Sequence, residues 1–293
     1  MNNRRDSMKK VGFIGIGVMG KSMAKHLMDA GFDVSVYTRT PSKADELVNG
    51  GATWKDSVQA LAQDVDVVIT MIGYPKDVED IYFGTEGLLN SANAHTTFID
   101  MTTSKPSLAV KIEEAAKERG CAALDAPVSG GDVGARNGAL TIMVGGDEDV
   151  YDACLPLFEV MGSNIQRHGP AGSGQHAKMC NQIAVAASMI GAAEALGYAK
   201  QAGLDEQKVL ATISSGAGGS WTLNNLAPRM LNGDFEPGFY VKHFIKDMDV
   251  ALEELESMDH DLPGLRLAKR LYDELALKGE ENSGTQAVYK LWQ

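Results

Sequence analysis

The chain has 293 residues, 44% hydrophobic and 23% charged, which suits a globular protein with room for two cores. Its formal net charge of −12 excludes nucleic acid as the main partner, because phosphate contacts need a basic face. Three cysteines, Cys121, Cys154 and Cys180, have neither an even count nor metal-like spacing, so reduced thiols, a cytoplasmic location and no metal are expected.

The opening MNNRRDSMKK, followed by Val11 to Gly20, imitates an export signal with a basic flank and an apolar run. That run is only ten residues long and holds four glycines, and a strand–helix–strand pattern follows at once. Residues 1–7 are therefore read as a disordered leader, with Met8 as a second candidate start. Lys9 to Ile16 predicts a buried strand and Val18 to Ala30 an amphipathic helix closed by Gly31. Between them Gly15, Ile16, Gly17, Val18, Met19 and Gly20 spell G-x-G-x-x-G. The first glycine permits the tight turn, the second lets the backbone approach a pyrophosphate, and the third lets helix and strand pack closely. A second strand, Asp33 to Tyr37, completes the dinucleotide-binding context.

An acid that holds the ribose 2′-hydroxyl of NAD is common at the end of that second strand. Here stand Thr38, Arg39 and Thr40 instead. A guanidinium grips a 2′-phosphate bidentately and hydroxyls donate to it, so NADP is favoured over NAD. The alternation continues with strands at Val65 to Met71, Thr96 to Met101 and Cys121 to Asp125, and helices at Pro75 to Tyr82 and Pro106 to Arg119. This pattern predicts an α/β domain with a doubly wound parallel sheet of Rossmann type over residues 8–168. Ligands sit at the carboxyl ends of such strands, which points to the loops Gly73-Tyr74-Pro75 and Thr102-Thr103-Ser104. In Asp125-Ala-Pro-Val-Ser129-Gly130-Gly131 the adjacent glycines bare several N–H groups, which suits either a carboxylate or a structural turn. A strand at Ala139 to Val144, a helix ending near Met161 and a closing strand at Asn164 to His168 precede a hinge at Gly169-Pro170.

From Gly172 to Ala202 runs one long helix, small or apolar nearly all round from Ile183 to Ala199, with Lys178 and Asn181 near its polar start. Such a helix belongs in a bilayer or a packed core, and Glu194 with the polar opening favours the core over a membrane. Helices are predicted at Asp205 to Ser214, Trp221 to Leu231, Val241 to Met258 and Leu262 to Lys278, with a short piece at Thr285 to Leu291. Residues 169–293 are thus expected to form an all-α domain built on the long helix. An apolar spine of that length also predicts a homodimer or homotetramer.

Four motifs in register resemble the 3-hydroxyacid (β-hydroxyacid) dehydrogenase family, which includes 3-hydroxyisobutyrate dehydrogenases, tartronate semialdehyde reductases and glyoxylate/succinic semialdehyde reductases. They are Val11 to Gly20, Asp125 to Gly131, Gly172-Ser-Gly-Gln-His-Ala-Lys-Met-Cys-Asn181 and Phe244-Ile-Lys-Asp247. The resemblance implies an NADP(H)- or NAD(H)-dependent oxidoreductase acting on a small carboxylate-bearing hydroxyacid or semialdehyde. It implies that Lys178 is catalytic, that Asn181, Ser129, Gly130 and Gly131 hold the substrate, and that Thr103 and Lys246 lie against the cofactor. Thr38-Arg39-Thr40 resembles the NADP-preferring branch. Met71 and Ile72 are also assigned to the cofactor, although the loop Met71-Ile-Gly-Tyr-Pro75 departs from the family's more usual Leu-Pro ending.

In that chemistry an ammonium stabilises negative charge developing on a carbonyl oxygen and then donates the proton. In the oxidation direction the lysine must be neutral, a state favoured by burial and by a helix N-terminus. Cys180 is expected in the core, and His176 is expected to turn away from Lys178. A 6-phosphogluconate dehydrogenase is longer and richer in arginine, and imine reductases usually replace the lysine. The alternative from another class is a non-catalytic NADP-binding module or redox sensor of the same fold. Loop residues Ser214 to Trp221 and Phe239 are expected to set substrate selectivity.

Overall fold

A computed structural model describes residues 8–293, so the leader expected over residues 1–7 lies outside the described residues. Apolar runs separated by amphipathic helices become β1 (Lys10–Ile14), β2 (Asp33–Tyr37), β3 (Thr53–Trp54), β4 (Val67–Thr70), β5 (Thr97–Asp100) and β6 (Ala122–Asp125), followed by β7 (Val128–Ser129), β8 (Leu140–Gly146) and β9 (Gly162–Gly169). The described residues form a nine-stranded sheet in the order β3-β2-β1-β4-β5-β6-β8-β7, with β9 paired to β8. From β3 to β6 every pairing is parallel. Strands β4 and β5 are buried at every position, as strands covered on both faces by crossover helices must be. The parallel, doubly wound expectation holds across these strands, whereas β8 runs antiparallel to both β6 and β7. The link from β6 to β8 is a short excursion through β7 and the helix Gly131–Arg136 rather than a helical crossover, and that permits the reversal.

The long helix spans Ser173–Gln201. At 1.5 Å per residue it is about 44 Å long. The chain's two compact units divide inside it, between Lys178 and Met179. In the second unit Met189, Ala193 and Leu196 of this helix pack into a core with Phe244, Met248 and Tyr272. Phe244 and Tyr272 meet edge to face at 4.9 Å, and Tyr272 donates its hydroxyl to the Thr285 carbonyl at 2.9 Å. The helix is not covered all round, however. His176, Cys180, Ala184, Ala187, Gly191, Glu194 and Tyr198 recur at helical spacing and are exposed. This corrects the expectation that Cys180 is a core residue, because it falls on the exposed stripe. The expected single helix over Trp221 to Leu231 is two, Trp221–Asn225 and Ala227–Leu231, because Pro228 fits only the first turn of a new helix.

One polar chain runs through the core of the first unit. Thr70 Oγ1 donates to Asp100 Oδ1 at 2.8 Å and lies 3.2 Å from the hydroxyl of fully buried Tyr82. The Thr102 N–H also donates to Asp100 Oδ1 at 3.1 Å. Burial pushes the Asp100 carboxyl up to about 6, against the pull of the Thr102 and Thr70 donors. Between about pH 4 and pH 6 an unfolded Asp100 loses its proton while the folded one keeps it, so the contribution of this group to wild-type stability falls as pH rises through that window. The gap corresponds to a loss on the order of 3 kcal/mol. Asp100→Asn carries no such loss. Its melting temperature relative to wild type should therefore rise between about pH 4 and pH 7, as thermal melts at stepped pH will read.

Candidate active site

The site begins at the turn after β1. Gly15 has φ +103°, and a Cβ there would collide with the Met71 carbonyl, so this turn and the loop after β4 meet backbone to backbone. The Met71 N–H donates to the Ile14 carbonyl at 2.9 Å, and the Gly15 N–H donates to the Tyr37 carbonyl at 3.0 Å. Ile16 is buried beneath the turn, Met19 is half-buried, and Gly20 packs so close to Gly15 that a Cβ would strike its carbonyl. Gly17 and Val18 are exposed. Gly17 caps the helix Val18–Asp29 without a side-chain hydrogen bond, and the space beside its Cα is open. Uncapped N–H groups of a helix's first turn facing an open cradle fit the pyrophosphate of a dinucleotide.

Beyond β2, Thr38 is half-buried, and Arg39 and Thr40 are exposed. Arg39 Nη1 donates to Asp77 Oδ1 at 3.0 Å, which draws the guanidinium to the first turn of the helix Pro75–Phe83. The loop after β4 joins the loop after β5, since the Ile72 N–H donates to Thr102 Oγ1 at 3.1 Å. Thr103 is half-buried between buried Thr102 and Ser104.

The start of the long helix belongs to the same unit. Lys178, in its second turn, is only 6% exposed, whereas His176 is exposed and turns away as expected. The carboxylate of Asp125, at the end of β6, accepts the Gly172 N–H on Oδ1 and the Gln175 N–H on Oδ2, both at 2.8 Å. Burial raises this carboxyl above the ordinary aspartate range, and the N–H donors of Gly172, Gln175 and Gly174 oppose the shift. The Gln175 amide donates to the Thr102 carbonyl at 2.8 Å and accepts the Ser104 N–H at 2.9 Å, so it spans both sides of Thr103. Ser129 ends β7 half-buried, and Gly130 and Gly131, with φ +130° and +62°, turn the chain into the helix Gly131–Arg136.

In the second unit Asn181 Nδ2 donates to Gln182 Oε1 at 2.7 Å, and Gln182 Nε2 donates to Asp247 Oδ2 at 2.6 Å. The Lys246 ammonium lies 2.8 Å from Asp247 Oδ1 as an ion pair, outside hydrogen-bond geometry. Asn181 and Lys246, assigned to different ligands from the sequence, are thus linked through two buried groups, Gln182 and Asp247. Spacing and resemblance assign no role to either of these, nor to Asp100, Asp125 and Gln175. The available signal was that Asp125, Gln175 and Asp247 stand inside the motifs already quoted.

Residues 10–169 match the family described as the NAD binding domain of 6-phosphogluconate dehydrogenase. Residues 172–292 match the family described as NAD-binding of NADP-dependent 3-hydroxyisobutyrate dehydrogenase. The oxidoreductase YkwC of Bacillus subtilis (strain 168) is 63% identical over 97% of this chain and 99% of its own. A probable 3-hydroxyisobutyrate dehydrogenase-like 1, mitochondrial, of Arabidopsis thaliana is 47% identical over 96% of this chain and 84% of its own. Among solved structures, Mycobacterium tuberculosis 3-hydroxyisobutyrate dehydrogenase with L-serine superposes with a TM-score of 0.90 at 31% identity, covering 98% of this chain and 99% of that one. Relatives of this kind give the non-catalytic alternative no support. A glycine cradle shaped for a dinucleotide, a helical second unit and full-length relatives named as dehydrogenases agree: the chain belongs to the 3-hydroxyacid dehydrogenase family and is an NAD(P)-dependent hydroxyacid dehydrogenase.

Proposed function

We propose that this enzyme interconverts a small 3-hydroxyacid and the corresponding semialdehyde, or a glyoxylate-like substrate, with Lys178 as general acid and base and NADP(H) as the preferred cofactor. The observation that carries the proposal is the burial of Lys178 at 6% exposure on a helix start tied to the carboxyl edge of the sheet. Lysine is rarely buried without a task or a partner. When bound, the nicotinamide cofactor supplies the hydride in reduction and takes it in oxidation.

The chain's own residues do the rest. Charge that builds on the substrate oxygen in reduction is stabilised by the Lys178 ammonium, which then delivers the proton to that oxygen. In oxidation the neutral amine removes the same proton. Ser129 and the N–H groups around Gly130 and Gly131 hold the substrate carboxylate, and Asn181, one turn past Lys178, donates to the substrate. The Gly15 to Gly20 turn holds the pyrophosphate, while Met71, Ile72, Thr103 and Lys246 lie along the rest of the cofactor. A 3-hydroxy acid accompanies the Mycobacterium tuberculosis relative, in line with this substrate class.

For the 2′-phosphate, Arg39 supplies a fork of N–H donors between Thr38 and Thr40. Asp77 holds that guanidinium at 3.0 Å and its charge repels a phosphate, so Arg39 must share or leave Asp77 to grip the 2′-phosphate.

Lys178→Ala should lower kcat for semialdehyde reduction by several orders of magnitude while NADPH still binds, as cofactor fluorescence titration will check. Normal turnover in that variant would reject the assigned role. Arg39→Ala should raise KM for NADPH about 10- to 100-fold and leave KM for NADH within about threefold, because only NADPH loses a charge-assisted contact. Parallel loss for both cofactors would remove the 2′-phosphate assignment. Screening glyoxylate, succinic, tartronate and methylmalonate semialdehydes with both cofactors identifies the substrate.

A further inference from the structure

We infer that Asp125 and Gln175 are positioning residues for the reaction: together they fix the start of the long helix, and with it the Lys178 amine, against the loop that holds Thr103. The inference rests on the acid–base role assigned to Lys178.

The Asp125 carboxylate takes the place of a helix cap, but it comes from a strand end 47 residues before Gly172 rather than from a neighbouring side chain. Its two oxygens accept N–H groups from Gly172 and Gln175, donors that a helix start otherwise leaves unsatisfied. Two glycines clear the space for it. A Cβ at Gly145 would strike Asp125 Oδ1, and a Cβ at Gly174 would strike the carbonyls of Met143 and Asp125. The strand end therefore touches the helix backbone directly.

Gln175 fixes the same turn from the other side. Its amide oxygen accepts from the Ser104 N–H and its amide nitrogen donates to the Thr102 carbonyl, and it is fully buried. Both sides of Thr103 are thus bonded to one residue of the helix. Lys178 follows Gln175 by three positions, so its amine lies over the same turn of the helix. A shift of about 1 Å in a catalytic group is enough to cost about 100-fold in rate. The ties are therefore of the kind that sets turnover rather than cofactor affinity.

The test is a double-mutant cycle with Lys178→Ala, read by steady-state kinetics and NADPH titration. Asp125→Asn replaces one acceptor oxygen with a donor facing a backbone N–H. It should lower kcat about 10- to 100-fold with KM for NADPH within about twofold. In the Lys178→Ala background the same substitution should change the residual rate by less than about twofold, because the amine it positions is gone. Gln175→Glu keeps the oxygen that faces Ser104 and loses the donor to Thr102, and it carries the same cycle should Asp125→Asn not fold.

Equal fold-losses with and without the lysine would overturn the inference and leave both residues as structural supports. So would an unchanged kcat in the folded single variants. Normal turnover by Lys178→Ala alone removes the acid–base role beneath the inference, and it is recognisable because neither tie has then been altered.

Discussion

Five parallel strands of this protein stop in one register row, and the site depends on that alignment. Tyr37 pairs with Ile14, Ile14 with Thr70, Thr70 with Asp100, and Asp100 with Asp125. The loops that follow leave the sheet at one height, so Gly15 can touch the Met71 backbone and the Ile72 N–H can reach the Thr102 hydroxyl. Apolar residues at the end of the row would close the core as well as the two carboxylates do. Asp100 and Asp125 are held there, against the cost of burying them, by donors from Thr70 at the adjacent strand end, from the loop after β5 and from the start of the long helix. The row turns a sheet edge into a set of mutually fixed loops.

Much of this could be read from the chain alone. The glycine turn, strands β1, β2, β4, β5 and β6 in their order, and the long helix follow from local periodicity and from residues with special backbone freedom, whereas the two-residue β3 (Thr53–Trp54) and the short helices Asp45–Asn49, Val58–Ala62 and Leu88–Ser91 do not. Strand ends differed by a residue or two, as at Lys10–Ile14 within the expected Lys9 to Ile16. The reversal at β8 was not visible, because a seven-residue apolar strand carries no mark of its direction. The apolar spacing of Trp221 to Leu231 continues across Pro228 and reads as one helix, although the proline itself marks the break.

The candidate residues divide in the same way. Those in contiguous motifs, such as Gly15 to Gly20 or Ser129 to Gly131, could be named from spacing and resemblance. The roles of the groups that tie the start of the long helix to the sheet, or Asn181 to Lys246, could not, because Asp125 and Gln175, or Gln182 and Asp247, find each other across 50 and 65 residues of chain. Periodicity is a local signal and such pairings are not. Composition misplaces Cys180 for a related reason: the helix around it is apolar, and only the packed structure shows which side its neighbours leave bare.

That bare side has an energetic consequence. Ala184 and Ala187 stand exposed on it, and alanine is the residue with the strongest intrinsic preference for helix. At 29 residues the segment also exceeds the roughly 12–15 at which helices in water are marginal. Helix formation in this segment is therefore in part intrinsic, set by alanines that face outward from the packed cores of the described chain and not by packing alone.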